Sequence, residues 1–241
     1  MNHSTYSKPI EYPLPLHSQD TPPSRLIADL QCRRTDAPPL ILCLNRHAFS
    51  PEKIKQLSRH ALTPEELSRS NGYRLATDSE RFTIGRGILR IILGLWLGTP
   101  PHKVSLVINH YGKPFCAGAP QFNTSHSGDL IILAFHPCNP VGVDVEQVIP
   151  GFDWEPIDRH ILKMRLTEVT HGLPSEQQEL HFFRLWCRLE AELKAHGSGL
   201  NDWEARRQPI FKSQHWDLKL PEPYLGSLAM ITAGTSQRRT R

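Results

Sequence analysis

The hydrophobic period changes along the chain, and the order of these changes constrains the fold more than any other sequence feature. Between residues 78 and 97 apolar residues recur every three or four positions, which gives a helix one buried face. A second segment of helical length begins after Pro174 and ends at Gly197. Short β-branched or apolar runs occupy residues 40–44, 104–108, 130–135, 141–145, 218–220 and 225–231. Helices and strands therefore follow one another in blocks, which predicts an α+β fold.

Capping residues mark the ends of the helices. Ser50 and Thr63 each precede a proline and an acid, the pattern of a capping hydroxyl followed by a first helical turn. The second of these helices is expected to stop at Gly72. Ser175, with Gln178 three residues later, resembles a capping box. The sequence thus predicts two short helices before the first long one, and a capped start for the second long helix.

The two ends of the chain differ in composition from the rest. Residues 1–38 are rich in proline and show no apolar period, which predicts an extended or disordered leader. Residues 39–140 and 141–232 are predicted to be an N-terminal and a C-terminal α+β half. Residues 233–241 are polar and basic, with nothing to bury, and are expected to form a tail.

Composition excludes several classes of protein. The longest apolar run, residues 88–97, is far short of the roughly 20 residues of a membrane span, and the N-terminus lacks the pattern of a signal peptide. The five cysteines are never in a CxxC pair, which fits a reducing cytoplasm. A net charge of +4 is mild for a nucleic-acid binder and compatible with an anionic partner. We therefore expect a cytoplasmic protein that works without membrane or nucleic acid.

The first candidate site is the run from Gly142 to Glu146. Because side chains alternate along a strand, Asp144 and Glu146 share one face while Val143 and Val145 face the core. Two adjacent carboxylates repel each other unless a cation or a proton compensates, and magnesium prefers such oxygen ligands. The alternative is that both acids lie on the solvated face of an edge strand.

The second candidate site lies on the predicted second long helix. Trp186, Glu190 and Lys194 are spaced by four and share one face, beside Phe183 and Cys187. A Glu–Lys pair at this spacing is also the favourable arrangement for an ordinary helix salt bridge. Its position beside aromatic residues places the charges at a hydrophobic border, which favours a functional role.

The third candidate site is the segment 122–128, interpreted as a turn between strands. Ser125 and His126 there can donate to a phosphate, although a polar hairpin turn is the alternative. The basic residues Arg74, Arg81, Arg86 and Lys113 can bind phosphates or be ordinary surface charges. No P-loop, G-x-G-x-x-G, H-E-x-x-H or G-x-S-x-G motif is present.

Five motifs occur in one order over residues 60 to 231: R-F-x-x-x-R-x-x-L-R, G-K-P, F-N-x-S-H-S-G, G-V-D-V-E and W-x-x-x-E-A-x-x-K-A-x-G-x-G-L. This series resembles the 4′-phosphopantetheinyl transferases, in particular the broad-specificity type that activates surfactin synthetase and related secondary-metabolism enzymes. The last two motifs at this separation are highly specific as a pair. The resemblance implies two similar α+β halves related by a pseudo-twofold axis, with coenzyme A in the cleft between them.

The resemblance also implies roles for individual residues. Asp144, Glu146 and Glu190 would hold Mg²⁺, and Glu190 would act as general base on the serine of the carrier protein. Lys194 would contact the phosphates and assist the leaving group. The residues implied to bind coenzyme A are Arg81, Lys113, Ser125 and His126, and His126 is expected to help to align the attack. Arg86 is a further candidate for the phosphates from its charge. Leu189 departs from the family, which usually has lysine immediately before the catalytic glutamate.

The implied activity is the transfer of 4′-phosphopantetheine from coenzyme A to a serine of an apo acyl or peptidyl carrier protein, with release of 3′,5′-ADP. The carrier would belong to a fatty-acid, polyketide or nonribosomal peptide synthase, and the enzyme would be a monomer. Two alternatives remain open at this point. One is a degenerate relative that binds coenzyme A or a carrier without transfer, and the other is a magnesium-dependent phosphohydrolase.

Overall fold

The computed structural model describes residues 16–162, 170–199 and 212–232. Within these ranges the helices are α1 Pro23–Gln31, α2 Pro51–Ala61, α3 Pro64–Asn71, α4 Ala76–Leu97, α5 Glu155–Ile157 and α6 Ser175–His196. The strands are β1 Leu16–His17, β2 Leu40–Asn45, β3 Val107–Ile108, β4 Pro114–Phe115, β5 Gln121–Ser127, β6 Leu130–His136, β7 Val141–Gln147, β8 Lys212–Asp217 and β9 Tyr224–Thr232. The α+β prediction is confirmed. None of the helices described is long and apolar enough to cross a membrane.

The predicted helix caps are mostly confirmed. The Ser50 hydroxyl accepts the Lys53 N–H at 3.3 Å, and Thr63 forms a complete capping box with Glu66. The capping box predicted at Ser175 is wrong, because Pro174 is the N-cap and the Gln178 amide donates to the Leu173 carbonyl. The helix nevertheless begins there, since proline restricts the residue before it and fixes its own φ.

The first sheet has the strand order β1-β2-β6-β5 and packs one face against α4. β1 runs parallel to β2, and the other pairs are antiparallel. The leader was predicted to be extended or disordered, and this is wrong for residues Pro23–Gln31, which form α1. Leu26, Ile27 and Leu30 lie on one face of α1 and are buried against the core of this sheet. That three-residue stripe is short enough to be missed among the prolines.

The second sheet has the strand order β7-β9-β8, and α6 covers one of its faces. Its other face packs against the first sheet, where Val143 and Leu228 meet Ile132. The strand predicted at 218–220 is wrong. Leu218 is buried and its N–H donates to the Gly226 carbonyl, but it lies in a loop. The edge strand is the polar run just before it, β8. β2, β5 and β6 lie within residues 39–140 and β7, β8 and β9 within residues 141–232, whereas β1 comes from the leader. The pseudo-twofold relation of the two halves stays a prediction.

A buried ion pair joins α3 to α4. Arg90 is 3% exposed and bonds to both carboxylate oxygens of Glu66, at 2.6 and 3.0 Å. Its remaining donors reach the carbonyls of Pro101 and Val104. A bidentate pair with its other donors satisfied is the arrangement in which a buried charge is tolerated. This pair was not predicted from the sequence.

The structure predicts that His136 makes folding sensitive to acid. His136 is fully buried at the end of β6, and its Nδ1 accepts the Asn139 N–H at 2.8 Å. Burial lowers the pKa of its imidazole from 6.5 to about 4. The neutral ring is therefore the folded form, so its contribution to stability is present above pH 6.5 and lost as the pH falls toward 4. We expect the free energy of unfolding to lose about 2 kcal/mol between pH 7 and pH 5 through this residue.

Urea unfolding at pH 7 and pH 5 measures this loss. His136→Asn provides the comparison, because the asparagine oxygen can accept the same N–H without titrating in this range. The variant is expected to show a smaller loss on acidification than the original chain, by about 2 kcal/mol. Equal losses in both proteins would show that other groups cause the acid sensitivity.

Candidate functional site

The site forms where β7 meets α6, and a glycine makes this contact possible. A Cβ at Gly142 would lie 2.0 Å from the Ala191 carbonyl and 2.2 Å from the Ala195 nitrogen. The backbone of α6 therefore lies directly on β7, with Ala191 and Ala195 as its contact residues. The next residues on the same face of β7 are Asp144 and Glu146, and they face the same helix as Gly142.

Asp144 and Lys194 form the centre of the site. Asp144 is 2% exposed, so it does not lie on a solvated edge as the alternative interpretation required. Lys194 Nζ donates to Asp144 Oδ1 at 2.6 Å, and the Ser125 hydroxyl donates to the same oxygen at 2.9 Å. The second oxygen, Oδ2, is buried without a hydrogen-bond partner among the described residues. Lys194 is thus paired with the buried Asp144 on β7. An ordinary i,i+4 salt bridge with Glu190, the alternative interpretation, would not need this contact.

The three carboxylates carry more negative charge than Lys194 neutralises. Burial raises the pKa of Glu146, and the nearby Asp144 raises it further. The pKa of Glu190 is also raised, first by burial and then by Asp144, while Lys194 opposes this shift. Raised carboxylate pKa values at one place indicate a site that favours an added cation or proton.

The donor set fits a hard divalent cation in kind and in charge. Such a cation prefers carboxylate oxygens, and Asp144 Oδ2 is an available one. In the part of the chain that the structure describes, no three His, Cys, Asp or Glu side chains are already grouped as a metal site. The Lys194 ammonium instead forms an ion pair with Asp144, the acid that a cation would contact. The site therefore has the ligands and the excess charge for a cation, with lysine as the present counter-charge.

Arg81 and His126 lie together beside this cluster. Arg81 Nη1 donates to the Gly128 carbonyl at 2.5 Å, and the guanidinium pairs with Asp78. Its Nε is buried without a partner among the described residues. The pKa of His126 is lowered, first by burial and then by the nearby charge of Arg81, with a smaller effect of Lys194. These groups place a guanidinium and an imidazole beside the acids, on the side of α4.

Two other predicted phosphate ligands, Lys113 and Arg86, have protein partners in the structure, and their contact with a phosphate stays a prediction. Lys113 Nζ donates to the carbonyls of Val141 and Ala195, each at 3.0 Å, and burial lowers its pKa to about 8. It fixes the β3–β4 hairpin to the C-terminal end of α6, where a cation is favourable. Arg86 lies 3.5 Å from Glu66, in the ion cluster between α3 and α4. Arg74 is exposed.

The segment 122–128 was interpreted as a turn, and this is wrong for most of its length. Residues up to Ser127 form β5 and pair with β6, leaving the turn itself at 128–129. Ser125 is 6% exposed and binds Asp144. Its contact with coenzyme A stays a prediction. In the structure its hydroxyl donates to the Asp144 carboxylate.

Leu189 has a structural explanation. It is 7% exposed and packs in an apolar cluster that includes Leu193 and Phe182. A lysine at this position would have to leave the cluster to keep its ammonium in water. A leucine, rather than the lysine usual in the family, therefore suits this buried position.

Several residues that build the site were not predicted from the sequence. Gly142 was quoted only as part of a motif, although a glycine before two strand acids can signal close backbone contact. Asn123 and Ser127 were read as turn residues. Their spacing of two with Ser125 is the signal of a strand with one polar face.

Comparisons with known proteins agree with this geometry. A family model described as "4′-phosphopantetheinyl transferase, N-terminal" matches residues 49–138, and one described as "4′-phosphopantetheinyl transferase superfamily" matches residues 140–226. The chain is 38% identical over 138 residues to 4′-phosphopantetheinyl transferase HetI of Nostoc sp., covering 55% of this chain and 58% of that protein. It is 30% identical over 135 residues to 4′-phosphopantetheinyl transferase psf-1 of Bacillus pumilus, covering 54% and 55%.

A third relative, the 4′-phosphopantetheinyl transferase of Bacillus subtilis, is 30% identical over 126 residues, or 52% of this chain and 55% of that protein. The chain thus spans little more than half the length of the curated relatives that it matches. The two family models follow each other along the chain and together span most of it. The chain belongs to the 4′-phosphopantetheinyl transferase superfamily.

Proposed function

We propose that this chain transfers the 4′-phosphopantetheine moiety of coenzyme A to a serine hydroxyl of an apo carrier protein and releases 3′,5′-ADP. The observation that carries the proposal is the cluster of buried Asp144 with half-buried Glu146, Glu190 and Lys194, in which negative charge exceeds positive charge. Arg81 and His126 beside it supply cationic and donor groups for phosphates. The names of the related proteins support the same activity.

Asp144, Glu146 and Glu190 are the residues that would hold Mg²⁺. When bound, the ion would offset the negative charge of the pyrophosphate as the leaving group departs. The unpartnered Asp144 Oδ2 and the raised carboxylate pKa values support this assignment. Lys194 keeps the cluster stable without the ion and would be free to donate to a phosphate once Asp144 has another cationic partner.

Side chains of the protein would accept the proton, stabilise the leaving group and align the coenzyme. The serine oxygen forms a bond to the phosphorus that carries pantetheine, and the bond from that phosphorus to the bridging oxygen of 3′,5′-ADP breaks. Glu190 accepts the serine proton, a role to which a carboxylate of raised pKa is suited. Lys194 donates to the departing phosphate. Arg81 and His126 hold the coenzyme so that attack and departure are in line.

The broad-specificity subtype, the monomeric state and the cytoplasmic location stay predictions. A carrier protein, acyl or peptidyl, is the expected partner, and its usual acidic surface would complement the positive balance of this chain.

Intact-mass spectrometry of an apo carrier protein tests the proposal. The carrier is incubated with the chain, coenzyme A and Mg²⁺, and in parallel with a chelator. A gain of one phosphopantetheine that requires the metal is the expected result. No gain with carriers of several pathways, while coenzyme A still binds, would favour the non-catalytic binding module. Release of inorganic phosphate from a nucleotide without a carrier would favour the phosphohydrolase.

A further inference from the structure

The two sheets are joined by side chains where their edge strands meet. β5 ends the first sheet and β7 ends the second, and the two strands belong to separate hydrogen-bonded sheets. Three polar side chains of β5, here called the seam, bridge them: Asn123, Ser125 and Ser127. The seam accepts three backbone N–H groups of β7, from Val143 at 2.9 Å, Val145 at 3.4 Å and Gln147 at 3.0 Å.

The seam satisfies groups that have no other partner strand. Alternate N–H groups of a strand point to opposite sides, so those of Val143, Val145 and Gln147 point away from β9. A buried N–H without an acceptor is costly, and the seam supplies one acceptor for each. The offset of twenty residues is the same at all three contacts, so β5 and β7 run in the same direction in a fixed register.

The two serines of the seam also hold the acids of the site. The Ser125 hydroxyl donates to Asp144 Oδ1 and the Ser127 hydroxyl to Glu146 Oε2, each at 2.9 Å. A hydroxyl can donate once while it accepts, so each serine links a β7 N–H to the neighbouring carboxylate. Asn123 lies beside Gly142, which has no carboxylate to hold. At this position the side chain needs only to accept the Val143 N–H, and the Asn123 amide oxygen does so.

Ser127 has the simpler of the two positions. Ser125 is shared between Asp144 and Lys194, so replacing it would disturb two charged groups. The Ser127 hydroxyl has two hydrogen-bond partners among the described residues, the Glu146 carboxylate and the Gln147 N–H. Glu146 is half-buried, and a glutamate has more rotatable bonds than an aspartate, so the fixed donor at Ser127 restricts where its carboxylate points.

We propose that Ser127 is a positioning residue, which aims the Glu146 carboxylate at the cation of the site through the seam. The proposal rests on the proposed function, because it assigns Glu146 to a divalent cation. Hydrogen-bond partners of metal ligands typically change metal affinity about 10- to 100-fold when they are removed. The first half of the chain would in this way set the affinity of acids that belong to the second half.

Binding of Mn²⁺, a spectroscopic substitute for Mg²⁺, tests this role. The free Mn²⁺ signal in electron paramagnetic resonance is followed during titration of the chain with coenzyme A present. Ser127→Ala is expected to weaken Mn²⁺ binding about tenfold or more, and to raise by a similar factor the Mg²⁺ concentration that gives half-maximal transfer. The rate at saturating Mg²⁺ should stay close to that of the unchanged chain, and Ser127→Thr, which keeps the hydroxyl, should restore the affinity.

Ser213→Ala is the matched control. The Ser213 hydroxyl also donates to a carboxylate, Glu192 at 3.1 Å, away from the acids of the site. It should leave Mn²⁺ binding unchanged. Wild-type Mn²⁺ affinity in Ser127→Ala would overturn the proposal alone, and so would a lower melting temperature with an unaltered metal requirement. Absence of Mn²⁺ binding and of metal-dependent transfer in the unchanged chain would overturn the proposed function, and this proposal with it.

Discussion

Replacing Asp144 with asparagine is expected to slow phosphopantetheine transfer about a thousandfold or more, because several kcal/mol of charge stabilisation depend on this carboxylate. Asparagine has nearly the same shape, and its oxygen can still accept from Ser125 and Lys194. The substitution therefore removes the charge and the free Oδ2 while keeping the local packing. The rate of carrier modification at fixed Mg²⁺, measured by intact mass, is the quantity to compare, together with the melting temperature.

Asp217→Asn is a closely matched control for this experiment. Asp217 also accepts from a basic side chain and a serine hydroxyl, Arg188 and Ser227, but at the outer strand of the second sheet. Its replacement should leave transfer nearly unchanged. A fully active Asp144→Asn would refute the metal assignment of this acid. Equal losses in both variants would point to a general effect of removing a paired aspartate.

Replacing Gly142 with alanine is expected to destabilise the fold by roughly 3 kcal/mol or more. The new methyl group would meet the backbone of α6 at three points, none of which can rotate away. Relief requires α6 to move off β7, which also separates Glu190 and Lys194 from Asp144. For a chain of this size the melting temperature should fall by about 10 °C, since each kcal/mol corresponds to roughly 2–4 °C. Transfer should fall as well at temperatures where the variant is still folded.

Gly87→Ala separates this steric effect from the general effect of adding a methyl group to a glycine. Gly87 lies inside α4, and its added Cβ would be 3.4 Å from the Leu57 side chain, an ordinary contact. Alanine there should be neutral or slightly stabilising, because glycine lowers helix stability by about 1 kcal/mol relative to alanine. An unchanged melting temperature in Gly142→Ala would show that β7 and α6 are less tightly packed than described.

The sequence predicted those features that depend on local chemistry. Ser50 and Thr63 cap helices because each hydroxyl precedes a proline at the first helical position and accepts a backbone N–H of the first turn. Asp144 and Glu146 share a face because strand alternation leaves no other arrangement. Glu190 and Lys194 lie on one helical face for the same kind of reason. Each of these predictions needed only a few neighbouring residues.

The features that escaped prediction depend on residues far apart in the chain. The Lys113 ammonium reaches two carbonyls that are distant in sequence, while its contact with a phosphate stays a prediction. The packing of α3 on α4 places Arg86 beside Glu66, a neighbour that the sequence did not predict, and its role toward a phosphate stays a prediction. The seam was read as a turn because its polar face is satisfied by β7, which follows only after β6. A local pattern carries no information about such partners.

The seam also gives the molecule three built-in probes of its own assembly. The amide protons of Val143, Val145 and Gln147 are held by side chains from the other sheet, whereas most protected amides of a sheet are held by a neighbouring backbone. Faster exchange at these three positions, while the other amides of both sheets stay protected, would therefore report separation of the two sheets. Spectroscopy of these three positions can follow the formation of the site in the absence of coenzyme, metal or carrier protein.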